Sequence, residues 1–87
     1  MEKRIGTITL LVSDRNRSEE INRILSDHSD VILCRQGLPP HGRSMAVISL
    51  IVEGTMDRIN TLTGLLGRLC IVKAVVAPEP VGRRNNY

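Results

Sequence analysis

Residues Ser44 to Leu69 read SMAVISLIVEGTMDRINTLTGLLGRL, a strand that runs straight into a helix. From Ser44 to Glu53 nearly every residue is apolar or small. Alternate residues of a strand face opposite sides, so Ala46, Ile48, Leu50 and Val52 form one apolar face. Met45, Val47, Ser49 and Ile51 form the other, which is only slightly more polar. A strand apolar on both faces belongs in the middle of a sheet and is covered on both sides. Gly54 breaks it. Thr55 is placed to N-cap the helix that follows, with Asp57 in the first turn where the helix dipole favours negative charge. Ile59, Leu62, Leu66 and Leu69 recur at helical spacing and form the buried stripe. Gly67 is read as a C-terminal stop. Gly64, inside the helix, is read either as a close approach to the sheet or another subunit, or as simple tolerance of a costly residue.

Working outward, Arg4 to Val12 is a strand with Gly6, Ile8, Leu10 and Val12 on one face. Ser13 to Arg17 is a turn. Asn16 is expected to N-cap a helix running to about Asp27, with Glu19 completing a capping box. Ile21, Ile24 and Leu25 are its core face, with His28 in phase at its end. Val31 to Gln36 is the second strand. Gly37 to Arg43, with two prolines and two glycines outside any regular pattern, is a loop. Cys70 to Ala77 is the last strand, ended by Pro78 and Pro80. The order βαββαβ with right-handed crossovers gives an α+β, ferredoxin-like sandwich: a four-stranded antiparallel sheet with two helices on one face. The helix-bearing face is expected to take Ile8, Leu10, Ala46, Ile48, Leu50, Val72, Ala74 and Val76. Thr7, Thr9, Leu11, Met45, Val47, Ser49, Ile51 and Val75 are left on a face without a helix. A face that apolar calls for cover, and another subunit is the expected cover. Thr7, Thr9, Met45, Val47, Ser49 and Ile51 are the interface candidates, in a homo-oligomer that is a dimer or a tetramer.

The run V-I-S-L-I-V-E-G-T-x-D-x-I-x-x-L-T-G-x-L-G-R-L, from Val47 to Leu69, resembles the small regulators of iron-only hydrogenase systems. The likeness extends to Arg4-Ile5-Gly6, to Gly37-Leu38-Pro39 and to Val72-Lys73, so it covers most of the chain. It implies an ACT-like version of the ferredoxin-like fold and a regulatory role. It implies no chemistry.

At 87 residues the chain is read as a single domain, residues 1–80, with a flexible basic tail at 81–87. A domain this small buries roughly 60–65% of its unfolded surface, so its stability is marginal. Tyr87 is the only aromatic residue, and the core must therefore be built from Ile, Leu and Val. The net charge of +3 favours anionic partners without demanding one, because the positive residues are scattered. There is no signal-peptide pattern and no run of about 20 apolar residues, so a cytoplasmic protein with no membrane segment is expected.

The residues for catalysis are missing. A Ser/His/Asp or Cys/His site needs a nucleophile beside an oriented base. The two histidines are His28, read as a helix-end residue, and His41, on the loop. Cys34 and Cys70 both fall in strands and read as small buried hydrophobes. Acylphosphatases share the topology, but their glycine-rich phosphate loop has no match in Ser13 to Arg17. No cofactor and no metal site is expected. The Cys-x-x-Cys of ferredoxin-like metal chaperones is missing, as are the strand histidines of the nickel-regulator sensor domain. Convergence of His28, Cys34 and His41 across subunits is the one metal alternative. RNA-recognition domains of this topology stack bases on sheet aromatics, which this chain lacks, so direct nucleic-acid binding is not expected.

A small anionic or amino-acid-like effector is the remaining class. ACT domains bind such ligands near the first β–α turn at a subunit interface. Of their Asp-Arg/Lys-Pro-Gly turn, Asp14-Arg15 is present and Asn16-Arg17 replaces Pro-Gly. The ligand-binding candidates are Asp14, Arg15, Asn16 and Arg17 at this turn, with exposed helix N–H groups beside them. Arg35, His41 and Arg43 are candidates in and beside the Gly37–Arg43 loop. Ordinary capping and a plain hairpin connection are the alternatives for the two segments.

Overall fold

The computed structural model describes residues 2–82, so residues 83–87 of the expected tail lie outside the described residues. The elements follow the order read from sequence: β1 (Arg4–Val12), a 3-10 turn (Arg15–Arg17), α1 (Ser18–Asp27), β2 (Ile32–Leu38), β3 (Ala46–Gly54), α2 (Met56–Gly67) and β4 (Ile71–Val76). The four strands form one antiparallel sheet in the order β2-β3-β1-β4. This is the α+β, ferredoxin-like arrangement.

The core follows from the strand alternation. Ile8, Leu10 and Val12 of β1 and Leu50 and Val52 of β3 are buried on one face of the sheet. They meet Ile21 and Leu25 of α1 and Ile59, Leu62 and Leu66 of α2, with Val31 closing the end. β4 is an edge strand and overhangs this layer. Val72 and Val76 are therefore half-buried, and Ala74, expected in the core, is exposed. Gly6 is required where β1 and β4 meet: a Cβ there would stand 2.8 Å from the Val75 carbonyl oxygen and 3.1 Å from Val76 Cα. Gly6→Ala must push β4 outward, with an expected loss of about 1–3 kcal/mol in urea unfolding.

The second strand departs from expectation. It starts and ends later, because Gly37 pairs with Ile48 and Leu38 with Val47 before Pro39 ends the ladder. A residue preceding proline favours extended backbone, which suits Leu38. A β-bulge interrupts β2. Ile32 pairs with Val52 but Cys34 pairs with Ile51, so Leu33 is an extra residue. The bulge reverses the facing of everything after it. Cys34 opposes Ile51 on the open face and is exposed, so the expectation of a buried cysteine fails there. Arg35 turns onto the helix-bearing face. Cys70 is half-buried, donates to the Leu66 carbonyl at 3.5 Å, and has its thiol pKa raised by burial.

The helix ends differ from expectation in detail. Asp14, not Asn16, does the first capping: its carboxylate accepts from the Asn16 N–H at 3.0 Å. That bond caps the 3-10 turn, and α1 begins one turn later at Ser18 without a side-chain cap. Thr55 caps α2 as expected, accepting from the Arg58 N–H at 3.3 Å. Arg58 also pairs with Asp30 at 2.9 Å, and this hydrogen bond holds the exposed Asp30 carboxyl below its usual range. His28 ends α1, with Nδ1 2.8 Å from the Ile24 carbonyl oxygen. α2 does stop at Gly67, but not through a left-handed glycine, since among the described residues only Gly42 has positive φ. Gly64 is exposed with open space around its Cβ position, so it makes no close approach to the sheet. Gly64→Ala is therefore expected to stabilise α2 by about 1 kcal/mol, read as a raised thermal midpoint.

Candidate effector cleft

The candidate site lies at one end of the sheet. β1 and β3 are antiparallel neighbours with Val12 opposite Ala46, so β1 ends where β3 begins. The turn after β1 and the loop before β3 must meet there. Two adjoining clefts occupy the junction and share Val12, Ser18 and Ala46.

The first cleft, 280 Å³, opens between α1 and the β2–β3 hairpin. Val12, Ile21, Ala46 and Ile48 make its apolar floor, and Ser18, Asn22 and Arg35 its polar rim. The cleft exists because Gly37 faces α1 and fills no space; a Cβ there would touch nothing within 4 Å. Arg35 lies across the rim and donates from Nη2 to Asn22 Oδ1 at 3.1 Å. The second cleft, 370 Å³, is lined by Ser13, Arg15, Ser18, Pro40, Arg43, Ser44 and Met45 around the shared residues. Arg43 is held in place by its own loop, donating from Nη1 to the Pro39 carbonyl at 2.9 Å. Among the described residues no carboxylate lines either cleft. Between them the two clefts have an apolar floor, three guanidinium groups and three serine hydroxyls.

Of the residues singled out from sequence, Arg35 lines the first cleft and Arg15 and Arg43 line the second. Asp14 and Arg17 instead face each other, with Arg17 Nε 3.7 Å from Asp14 Oδ2. Asn16 lines a separate hollow with Glu19, Glu20 and Arg23. His41 lines neither cleft. The turn's backbone donors are already used internally: Asn16 N–H by Asp14 Oδ1, Arg17 N–H by the Asp14 carbonyl, Ser18 N–H by the Arg15 carbonyl. These three N–H groups are thus not free for an anion, and the arginine and serine side chains are the donors the clefts present. Ser18 and Asn22 went unread in the sequence, although their i, i+4 spacing puts both on one edge of α1. Among the described residues no group of three or more His, Cys, Asp or Glu side chains is placed to hold a metal ion.

The open face of the sheet is the second feature of interest. Thr7, Ser49, Ile51 and Val75 are exposed there, and Thr9, Leu11, Met45 and Val47 are half-buried. Val75 is 63% and Ile71 60% exposed, high values for large apolar side chains.

An antiparallel sheet in the order β2-β3-β1-β4 with two helices on one face, and a basic cleft at its end, defines a small α+β domain of the ferredoxin-like kind. The chain belongs to the TM1266-like family, described as "Iron-only hydrogenase system regulator, putative", whose model matches residues 4–75. Protein TM1266 from Thermotoga maritima is similar in sequence and structure: 33% identity over 93% of this chain and 100% of that one, with a TM-score of 0.75. Two further solved structures share the fold alone. CutA from Xylella fastidiosa has 20% identity over 91% of this chain and 86% of its own, with a TM-score of 0.52. SnoaB, a cofactor-independent oxygenase from Streptomyces nogalater, has 9% identity over 98% and 96%, with a TM-score of 0.51. No curated protein matches the chain. No helix among the described residues is long and apolar enough to cross a membrane.

Proposed function

We propose that this chain is a non-enzymatic regulatory module that assembles as a homo-oligomer and binds a small anionic, amino-acid-like effector in the cleft of Arg15, Arg35 and Arg43. One observation carries the reading. Three arginines from three separate segments line two adjoining clefts, Arg35 the first and Arg15 and Arg43 the second, with no lining carboxylate among the described residues. Few precisely placed polar groups on an apolar lining is the make-up of small-ligand sites, and guanidinium groups suit carboxylate or phosphate. Nothing lining the groove is a nucleophile beside a base, which supports binding rather than turnover. Membership of the hydrogenase-regulator family supports a role in controlling such a system.

The mechanism is a population shift. An effector changes an assembly or a partner contact only in so far as it binds one state better than the other. The single domain at 1–80 does this, with 81–87 as an appended tail. Two free cysteines, Cys34 and Cys70, suit work in the reducing cytoplasm.

A thermal-shift panel of amino acids, dicarboxylates and small phosphates tests the reading. A shift of several degrees for one chemical class, saturating with concentration, is expected. A flat panel at millimolar concentrations sinks the effector and leaves an interaction module that works by assembly alone.

A further inference from the structure

The two clefts differ in kind. The first has a floor of Val12, Ala46 and Ile48 beside Ile21 of α1. Ala46 and Ile48 pair with Val12 and Leu10, which puts them on the helix-bearing face of the sheet. They are nevertheless only half-buried, whereas Leu50 and Val52, further along the same face of β3, are fully buried. The difference lies at Gly37, which pairs with Ile48, faces α1 and has no side chain to lay over the floor. The second cleft adjoins the first at Val12, Ser18 and Ala46 and presents Arg15 and Arg43.

The clefts are also one-sided in charge. Among the described residues their linings hold three guanidinium groups and no carboxylate. Several oxygens that could accept from an ammonium group already accept from arginine. Asn22 Oδ1 accepts from Arg35 Nη2 at 3.1 Å, the Pro39 carbonyl from Arg43 Nη1 at 2.9 Å, and the Pro40 carbonyl from the Arg43 N–H at 2.6 Å. A cation brought in here meets like charge with no opposite charge to offset it.

Resting on the effector reading above, we infer that the effector is a short aliphatic monocarboxylate without an ammonium group. It has the carbon frame of an aliphatic amino acid and not its amino group. Arg15 and Arg43 hold its carboxylate in the second cleft through charge-assisted hydrogen bonds. Its chain passes Ser18 and lies on Val12, Ala46 and Ile48 in the first. A second carboxylate laid on that floor would lose its hydration and gain no partner. The first cleft is small, 280 Å³ against about 300–1,000 Å³ for drug-sized ligands, so the chain is short. Gly37 sets its length. A Cβ there would touch nothing within 4 Å, and that open space is what the end of the chain fills.

Isothermal titration with butanoate, pentanoate, hexanoate and octanoate tests the chain. Isocaproate and leucine, which differ only in the amino group, test the charge, and succinate and inorganic phosphate are the control anions. Each methylene laid on the floor should tighten binding about fourfold until the cleft is full. Isocaproate should bind at least about ten times more tightly than leucine. Gly37→Val should shift the best acid to a shorter one and leave butanoate within about twofold of the parent. Gly37→Ala makes the same test more mildly if the valine variant does not fold. Leucine binding as tightly as isocaproate, or affinity indifferent to chain length, overturns the inference. Succinate or phosphate binding where no monocarboxylate does overturns it too, and leaves the effector reading standing. Silence from every probe at millimolar concentration overturns the inference, and the wider thermal-shift panel then decides the reading on which it rests.

Discussion

Leu50→Ala will lower the urea midpoint more than any surface change, with an expected loss of about 2–5 kcal/mol. Leu50 is fully buried on β3, opposite Ile8 and Arg35, beneath both helices. Truncation removes the transfer free energy of the lost carbons and leaves a cavity that the layer above closes only in part. The domain has little in reserve, since native stabilities are about 5–15 kcal/mol and small domains sit at the low end. Ser49→Ala, one residue earlier on the opposite and exposed face, should stay within about 0.5 kcal/mol. The contrast between adjacent residues tests the alternation on which the fold rests. A reversal, with Ser49→Ala the costlier change, would mean that β3 is misplaced in register by one residue.

The two central strands were legible for different reasons: β1 alternates from Thr7 to Leu10, and β3 is an almost continuous apolar run between a proline-rich loop and Gly54. β1 was read to its exact ends, Arg4 and Val12. β2 was not. Its residues, ILCRQGL, contain polar positions at both facings, and no local feature announces the extra residue Leu33. The bulge is set by pairing with β3, a long-range interaction that a short polar strand does not encode locally. The consequence reached the candidate site. Without the bulge Arg35 would face away from α1 and Cys34 toward it. Meeting of Arg15 and Arg43 was within reach of the topology, since antiparallel β1 and β3 bring their flanking turns to one end. The use of the turn's N–H groups by Asp14 and its own carbonyls was not, because Asn16 is an equally good capping residue by type.

Arg43→Ala and Arg15→Ala will each weaken effector binding by roughly 10- to 100-fold, and together they will abolish the thermal shift. A hydrogen bond to a charged group contributes about 1.5–3 kcal/mol, and each 1.4 kcal/mol is a factor of ten in affinity. Both side chains line the second cleft from different segments, so losing one leaves a single guanidinium in that cleft, with Arg35 in the adjoining one. Gly37→Leu works on the other arm. Its side chain would occupy open space between α1 and β2, so the fold should persist while the apolar part of the ligand is displaced. Arg23→Ala is the control for overall charge. Arg23 lies in a different hollow with Glu19, Glu20 and Asn16, and its loss removes one positive charge without touching either cleft. Isothermal titration of the four variants at two salt concentrations separates the causes. Long-range attraction is screened over about 10 Å at 0.1 M salt, whereas a direct guanidinium–carboxylate contact is screened far less. Arg23→Ala should therefore match the parent in affinity, with at most a change in salt dependence. If it weakened binding as much as Arg43→Ala, the anion would be held by the protein's general positive charge, and the cleft would have no claim as the site.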